Sequence, residues 1–140
     1  SKSCEYSLRA VLYVAAQKGN AYVSIRAMAG ELGVSFYFLT KLMKKLTDHG
    51  VLKSSRGPKG GVVLARPAEK IHLYDILQAA EGHALFRGCV LGLAGCGERK
   101  PCPLHKQWAI ERNRLERMFR STTLARGAAL VANGALRLSD

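Results

Sequence analysis

Residues 24–50 are SIRAMAGELGVSFYFLTKLMKKLTDHG, two short helical patterns separated by a Gly-Val-Ser turn. Ser24 and Ser35 are each placed to cap the N-terminus of a helix. Gly33 is placed to end the first helix and Gly50 to end the second. The second pattern has an apolar face made of Phe38, Leu39, Leu42, Met43 and Leu46. Two short helices joined in this way predict a helix-turn-helix.

The residues that follow predict a β-hairpin. Residues 51–53 and 62–64 are short β-forming runs, and residues 54–61 between them are rich in glycine and basic side chains. A hairpin directly after the second helix makes the unit a winged helix-turn-helix. Helical periodicity predicts further helices over residues 5–17 and 73–80, the latter ended by Gly82.

The charge balance favours a polyanionic partner. The 140 residues carry 22 Lys and Arg against 10 Asp and Glu, a formal net charge of +12. Seven basic residues and a single acidic one fall between Gly33 and Ala68. Nucleic acid is favoured over a membrane surface, because no basic amphipathic helix with a Trp/Phe/Leu face is present. No apolar run approaches ~18 residues and no signal peptide is visible, so we expect a cytoplasmic protein with no membrane partner.

Candidate DNA contacts lie on the second helix and on the wing. The N-terminal turn of the helix is expected to face base edges and its lysines to face phosphates, with Arg56 entering a minor groove. Alternatively, the second helix is an ordinary amphipathic helix whose lysines face solvent and bind no partner. The hairpin that follows favours binding to double-stranded DNA over this alternative. The candidate contacts are Ser35, Phe36, Tyr37, Thr40, Lys41, Lys44, Lys45, Arg56 and Lys59.

Three cysteines and a histidine fall within 17 residues, in the pattern C-x6-C-x5-C-x2-H: Cys89, Cys96, Cys102 and His105. Soft sulfur ligands on a glycine-rich loop suit an iron–sulfur cluster or zinc. The spacing is neither the paired C-x2-C of zinc ribbons nor a ferredoxin run, so ligand chemistry alone leaves both open. Cys4, which is far from the other three in sequence, is expected to be a small buried hydrophobe.

The last part of the chain predicts a long helix with Pro103 in its first turn. Six positions recur at heptad-like spacing, four of them apolar and two polar, which predicts a dimerisation surface. We call this set the seam: Leu104, Trp108, Glu111, Leu115, Met118 and Thr122. A homodimer is also expected because one winged helix contacts only half of a palindromic operator. The predicted fold is mainly α, with a winged helix-turn-helix DNA-binding domain over residues 1–82, a cluster-binding loop over 83–102 (the cysteine loop), and a dimerisation helix with a C-terminal segment over 103–140.

This order of elements resembles the Rrf-two family of bacterial regulators, in the branch of IscR, NsrR and RirA. The resemblance rests on the wing RGPKGG at residues 56–61, the helix over 71–82, the three-cysteine loop and the long helix. It implies a homodimeric transcription factor with one iron–sulfur cluster per subunit.

The resemblance also implies the ligands of that cluster. Cys89, Cys96 and Cys102 match the family's three cysteine ligands. His105 stands where IscR has its fourth ligand, and Glu5 of the partner subunit stands where NsrR-like members have an acidic one. The six-residue first gap is longer than in those patterns and leaves [2Fe-2S] and [4Fe-4S] open. Thr40 and Lys41 replace the Glu and Gln of IscR-like proteins, so the operator is expected to differ.

These inferences predict a homodimeric DNA-binding transcriptional repressor that senses nitric oxide, iron or redox status through an iron–sulfur cluster. One alternative is a winged-helix regulator whose three cysteines bind zinc or act as a thiol redox switch. Another is an electron carrier or an enzyme that uses the cluster. The sequence beside the cysteine loop has no Ser/His/Asp arrangement, phosphate loop or paired carboxylates, so we expect no enzymatic activity.

Overall fold

The computed structural model describes residues 1–134 and 137–140, and its elements follow the predicted order. The described helices are α1 (Lys2–Ala16), α2 (Ile25–Leu32), α3 (Phe36–Asp48), α4 (Leu73–Glu81), α5 (Ala84–Arg87), α6 (His105–Ser121) and α7 (Leu124–Ala132). The two strands, β1 (Leu52–Ser55) and β2 (Gly61–Leu64), form an antiparallel hairpin. The predicted mainly α, winged helix-turn-helix fold is confirmed.

Local capping fixes the helix-turn-helix. The hydroxyl of Ser24 accepts a hydrogen bond from the Ala27 amide at 3.3 Å, and the hydroxyl of Ser35 accepts one from the Phe38 amide at 3.1 Å. Each serine thereby satisfies an amide that the first helical turn leaves without a partner. Gly33 ends α2 in the left-handed region, with φ of 63°. The predicted boundaries between α2 and α3 are therefore confirmed.

The wing is anchored to the helix-turn-helix by a third extended segment. Leu52 pairs with Leu64 and Ser55 with Gly61 within the hairpin. On its other side, β2 bonds to the residue before Ser24: the Val23 amide donates to the Val62 carbonyl at 2.8 Å, and the Val62 amide donates back at 2.9 Å. These two bonds fix the orientation of the wing relative to α2.

The buried side chains form two clusters. The larger one joins α1, α2, α3, the wing, α4 and α7, and includes Val11, Met28, Leu39, Leu46, Ile76 and Leu124. The smaller cluster lies under the cysteine loop and contains Cys4, Tyr74, Leu77 and Phe86, with Leu115 and Phe119 of α6 against it. Cys4 is thus a buried hydrophobe, as the sequence predicts.

The C-terminal part contains the predicted long helix as α6 and a further helix, α7, where the sequence predicts only a C-terminal segment. Pro103 precedes the N-cap Leu104 and is outside the first turn of α6. Helix α6 stops at Ser121 because the next residues bond to the segment before α4. The Thr122 carbonyl accepts from the Leu73 amide at 3.0 Å, and the Leu124 amide donates to the Ile71 carbonyl at 2.7 Å. The chain then begins α7, which packs against α1.

Within residues 1–134 and 137–140, none of the helices combines the length and the apolar character that crossing a membrane requires.

Candidate DNA-binding surface and cysteine site

The exposed face of α3 carries most of the predicted base-reading residues. Tyr37 is 80% exposed, next to the N-terminus of the helix. Ser35 and Lys41 are also exposed, although the Ser35 hydroxyl is engaged in capping. Tyr37 and Lys41 are therefore the side chains of this face that are free to meet a base edge or a phosphate.

Two other predicted contacts on α3, Thr40 and Lys44, are partly engaged within the protein. The Thr40 hydroxyl donates to the Phe36 carbonyl at 2.7 Å, and Thr40 and Lys44 line a groove against Ser54 of β1. The Lys44 ammonium pairs with Asp48 at 2.8 Å. This pair is exposed on both sides, so a DNA phosphate can replace the carboxylate at small cost.

Lys45 is exposed one turn after Lys41 and also contacts α4. Its Nζ donates to the carbonyl of Ala80, at the C-terminal end of α4, at 3.4 Å. A cation at this position interacts favourably with the helix dipole of α4. Lys45 thus connects α3 to α4, a contact that its place among the lysines of α3 does not reveal.

Arg26 is a further basic side chain beside the helix-turn-helix. Its guanidinium carbon lies 4.2 Å from the centroid of the half-buried Phe36 ring. The stacking fixes a positive charge next to the N-terminus of α3. Arg26 is not among the DNA contacts predicted from the sequence, where its place in the first turn of α2 was the available signal.

The wing presents its two predicted basic residues at its tip. Arg56 and Lys59 are both exposed. Between them Gly57 adopts φ of 100°, and its carbonyl accepts from the Gly60 amide at 3.0 Å to close the turn. A Cβ on Gly60 would overlap the backbone of Ser55 and Arg56. Glycine is therefore required where the two sides of the turn approach each other.

The four side chains of this chain that are predicted to bind the cluster lie in two pairs. The Sγ atoms of Cys89 and Cys102 are 3.7 Å apart. The Sγ of Cys96 is 3.4 Å from Nδ1 of His105, the first residue of α6. The described part of the chain contains no group of three His, Cys, Asp or Glu side chains arranged to hold a metal ion.

The two cysteine environments shift their pKa values in opposite directions. Hydrogen bonds from the Leu91 and Leu93 backbone lower the pKa of Cys89, and contacts with Cys102 and Cys96 lower it further. Burial raises the pKa of Cys4, and the negative charge of Glu81 adds to that effect. The loop thus favours the thiolate of Cys89, the form that binds metals, whereas the pocket of Cys4 disfavours a thiolate there.

Two side chains of α6 bind the start of this loop. Trp108 Nε1 donates to the Gly88 carbonyl at 2.8 Å, and Arg112 Nη1 donates to the same oxygen at 3.0 Å. Arg112 Nη1 also lies 3.6 Å from the Cys96 sulfur. The Nε of Arg112 is buried and has no acceptor among the described residues.

These observations fit an iron–sulfur cluster. Three thiols and an imidazole supply terminal ligands of the kind such clusters use, and a cationic N–H without an acceptor can donate to a cluster sulfide. Glu5, the other candidate ligand, is engaged within its own helix, with Lys2 at 3.1 Å and Arg9 at 3.6 Å. Within the single chain, Glu5 has no described contact with the cysteine loop.

The seam is largely uncovered in the single chain. None of the residues of α6 is fully buried. Met118 is 50% exposed, and with Trp108 and Leu115 it lines an open groove. An apolar groove on a helix whose opposite faces are basic is typical of a surface that another chain covers.

Comparison with known proteins gives consistent matches over most of the chain. The profile of the Rrf2 family, described as an iron-dependent transcriptional regulator, matches residues 1–129. The regulator IscR of Cereibacter sphaeroides is 39% identical over 99 residues, 69% of this chain and 64% of that protein. The structure of CymR, the global cysteine regulator of B. subtilis, matches with a TM-score of 0.77 at 26% identity, over 92% of this chain and 95% of CymR. T. potens IscR matches with a TM-score of 0.75 at 25% identity, over 98% of this chain and 90% of that one.

Proposed function

The chain belongs to the Rrf2 family of transcriptional regulators, and from this premise we propose that it is a homodimeric repressor controlled by an iron–sulfur cluster. The family resemblance inferred from the sequence is confirmed. The winged helix-turn-helix is the DNA-binding unit of this regulator. The observation that carries the cluster proposal is the close approach of Cys89 to Cys102 and of Cys96 to His105.

The pairing of the donors supports a [2Fe-2S] cluster. In such a cluster each iron takes two terminal protein ligands, as the Rieske centres with two His on one iron illustrate. Cys89 and Cys102 form one pair of neighbouring donors, and Cys96 and His105 form the other. We therefore assign His105 as the fourth ligand in preference to Glu5 of the partner subunit.

The cluster proposal is tested by purification without oxygen. We expect a brown protein with an absorbance band at ~400–450 nm and about two irons and two sulfides per subunit. Cys102→Ser and His105→Ala should each lose most of this absorbance. Cys4→Ala, which removes a thiol outside the site, and Glu5→Ala should keep it. A colourless wild type that carries zinc would support the zinc or thiol-switch regulator instead.

Operator binding is proposed to use both α3 and the wing. Tyr37 and Lys41 would face the major groove, while Arg56 at the wing tip would enter the adjacent minor groove. With two copies related by two-fold symmetry, the same contacts repeat on both halves of a palindromic operator. The seam is the surface proposed to join the two copies.

Arg56→Ala is expected to weaken operator binding and to reduce the slope of log affinity against log salt by about two, since one cation leaves each half of the dimer–operator interface. Fluorescence anisotropy over a salt series measures both quantities. Arg126→Ala removes the same charge from α7, outside the helix-turn-helix and the wing, and should leave the slope unchanged. Equal slopes for Arg56→Ala and wild type would exclude the wing contact.

The proposed response depends on contacts between the cysteine loop and α3. When bound, the cluster supplies a group that changes with redox state, iron supply or nitric oxide. Phe86 stacks on Tyr74 of α4, with ring centroids 5.4 Å apart, and also contacts Phe119 of α6. At the other end of α4, the Ala80 carbonyl accepts from Lys45 of α3. A displacement of the loop that moves Phe86 would therefore shift α4 and change the position of α3.

A further inference from the structure

Arg112 contacts the cysteine site through its side chain, although it lies outside the C-x6-C-x5-C-x2-H pattern. It follows His105 by seven residues, two turns of α6, so the two side chains share a helix face. The Gly88 carbonyl is bound by Trp108 as well as by Arg112. Of these two side chains, Arg112 is the one that also contacts the Cys96 sulfur.

The polar groups of Arg112 are only partly satisfied by the protein. A guanidinium has five N–H donors and no acceptor. Nη1 has the Gly88 carbonyl and the Cys96 sulfur, whereas Nε is buried without an acceptor among the described residues. A buried donor left unsatisfied is unfavourable, and more so on a charged group. A negatively charged group with several hydrogen-bond acceptors, bound beside Cys96, would satisfy the Nε of Arg112.

The residues around Arg112 carry a net positive charge, which favours the binding of a negatively charged group. Residues 87–112 carry five basic side chains against two acidic ones, Glu98 and Glu111. No carboxylate within the described residues forms an ion pair with Arg112. Its positive charge is therefore not neutralised by the protein itself.

On the basis of the proposed function, we infer that Arg112 contacts the cluster, donates a hydrogen bond to a cluster sulfide and favours the reduced, more negatively charged state. Net charge and hydrogen bonds to the sulfurs are two determinants of the reduction potential of a cluster. A fixed cation that donates to the sulfurs therefore raises this potential. Arg112 would set the redox threshold at which the regulator responds, without being a ligand.

The test compares Arg112→Gln, Arg112→Lys and Arg117→Gln in protein loaded with the cluster without oxygen. Arg117 is exposed on the same helix, so its substitution removes the same charge away from the loop. Arg112→Gln should have a lower midpoint potential in a redox titration and should lose the cluster to a chelator about ten times faster. Arg112→Lys, which keeps the charge without the planar set of donors, should be intermediate. Arg117→Gln should match the wild type.

The outcomes separate this inference from the proposed function. A wild type that holds the cluster, together with an Arg112→Gln variant of unchanged potential and retention, overturns the role of Arg112 alone. Equal shifts in Arg112→Gln and Arg117→Gln also overturn it, because they would reflect overall charge. A wild type that takes up neither iron nor sulfide overturns the proposed function, and the role of Arg112 with it.

Discussion

Gly61→Ala is expected to lower the free energy of unfolding by about 3–5 kcal/mol and to abolish operator binding. Gly61 has φ of 143°, a conformation that L side chains rarely adopt. A Cβ at this position would also overlap the carbonyl group of Val23. That carbonyl accepts the Val62 amide, so relieving the overlap breaks the pairing that anchors the wing. Urea denaturation and anisotropy with operator DNA measure the two effects.

Gly57→Ala is the matched control for this prediction. Gly57 lies in the same wing with φ of 100°, but a Cβ there would meet no atom within 4 Å. Gly57→Ala should therefore lower the free energy of unfolding only through its unfavourable backbone conformation, by about 1–2 kcal/mol. The difference between the two variants reports the close approach of Val23 to the wing. If both variants were destabilised equally, the Val23 contact would contribute nothing to the anchoring of the wing.

The parts of the fold that the sequence predicts correctly are those fixed by local interactions. Ser24 and Ser35 cap helices through amides three residues away, and Gly33 adopts a positive φ within its own turn. These interactions need only the neighbouring residues, so residue type and spacing are sufficient to identify them. The hairpin is predicted for the same reason, because its turn is short and rich in glycine.

The parts that the sequence does not predict depend on distant contacts. No helix is predicted after the seam, but α7 forms over Leu124–Ala132 and packs against α1, which is far away in the sequence. The contact of Lys45 with the Ala80 carbonyl of α4 is not predicted either, while its role as a DNA contact stays a prediction. Contacts across 35 or more residues leave no local pattern.

In the candidate site, too, the residue types are predicted from the sequence whereas their contacts are not. The sequence identifies the sulfur and imidazole donors by residue type alone, since few other side chains bind soft metals. Their grouping as Cys89 with Cys102 and Cys96 with His105 depends on how the loop folds back onto α6. Arg112 is not among the site residues predicted from the sequence, although its seven-residue spacing from His105 was a usable signal.

Met118→Glu is expected to convert the proposed homodimer into monomers and to reduce affinity for a palindromic operator by about 10²–10⁴-fold. Met118 is 50% exposed and belongs to the seam, with Trp108 and Leu115 in the same groove. In a dimer formed through the seam, a carboxylate at this position would be buried without a partner. A monomer then binds each half-site independently and loses the gain in effective concentration that a linked pair provides.

Ile110→Glu provides the control, because Ile110 is equally exposed, at 52%, and lies on the same helix. Eight residues separate it from Met118, which places it ~80° around α6 and off the seam. Sedimentation velocity should therefore show monomers for Met118→Glu and dimers for Ile110→Glu, while circular dichroism shows both folded. Operator affinity should fall in the first variant alone. A dimer that survives Met118→Glu, or one that both substitutions disrupt equally, would place the subunit interface elsewhere than the seam.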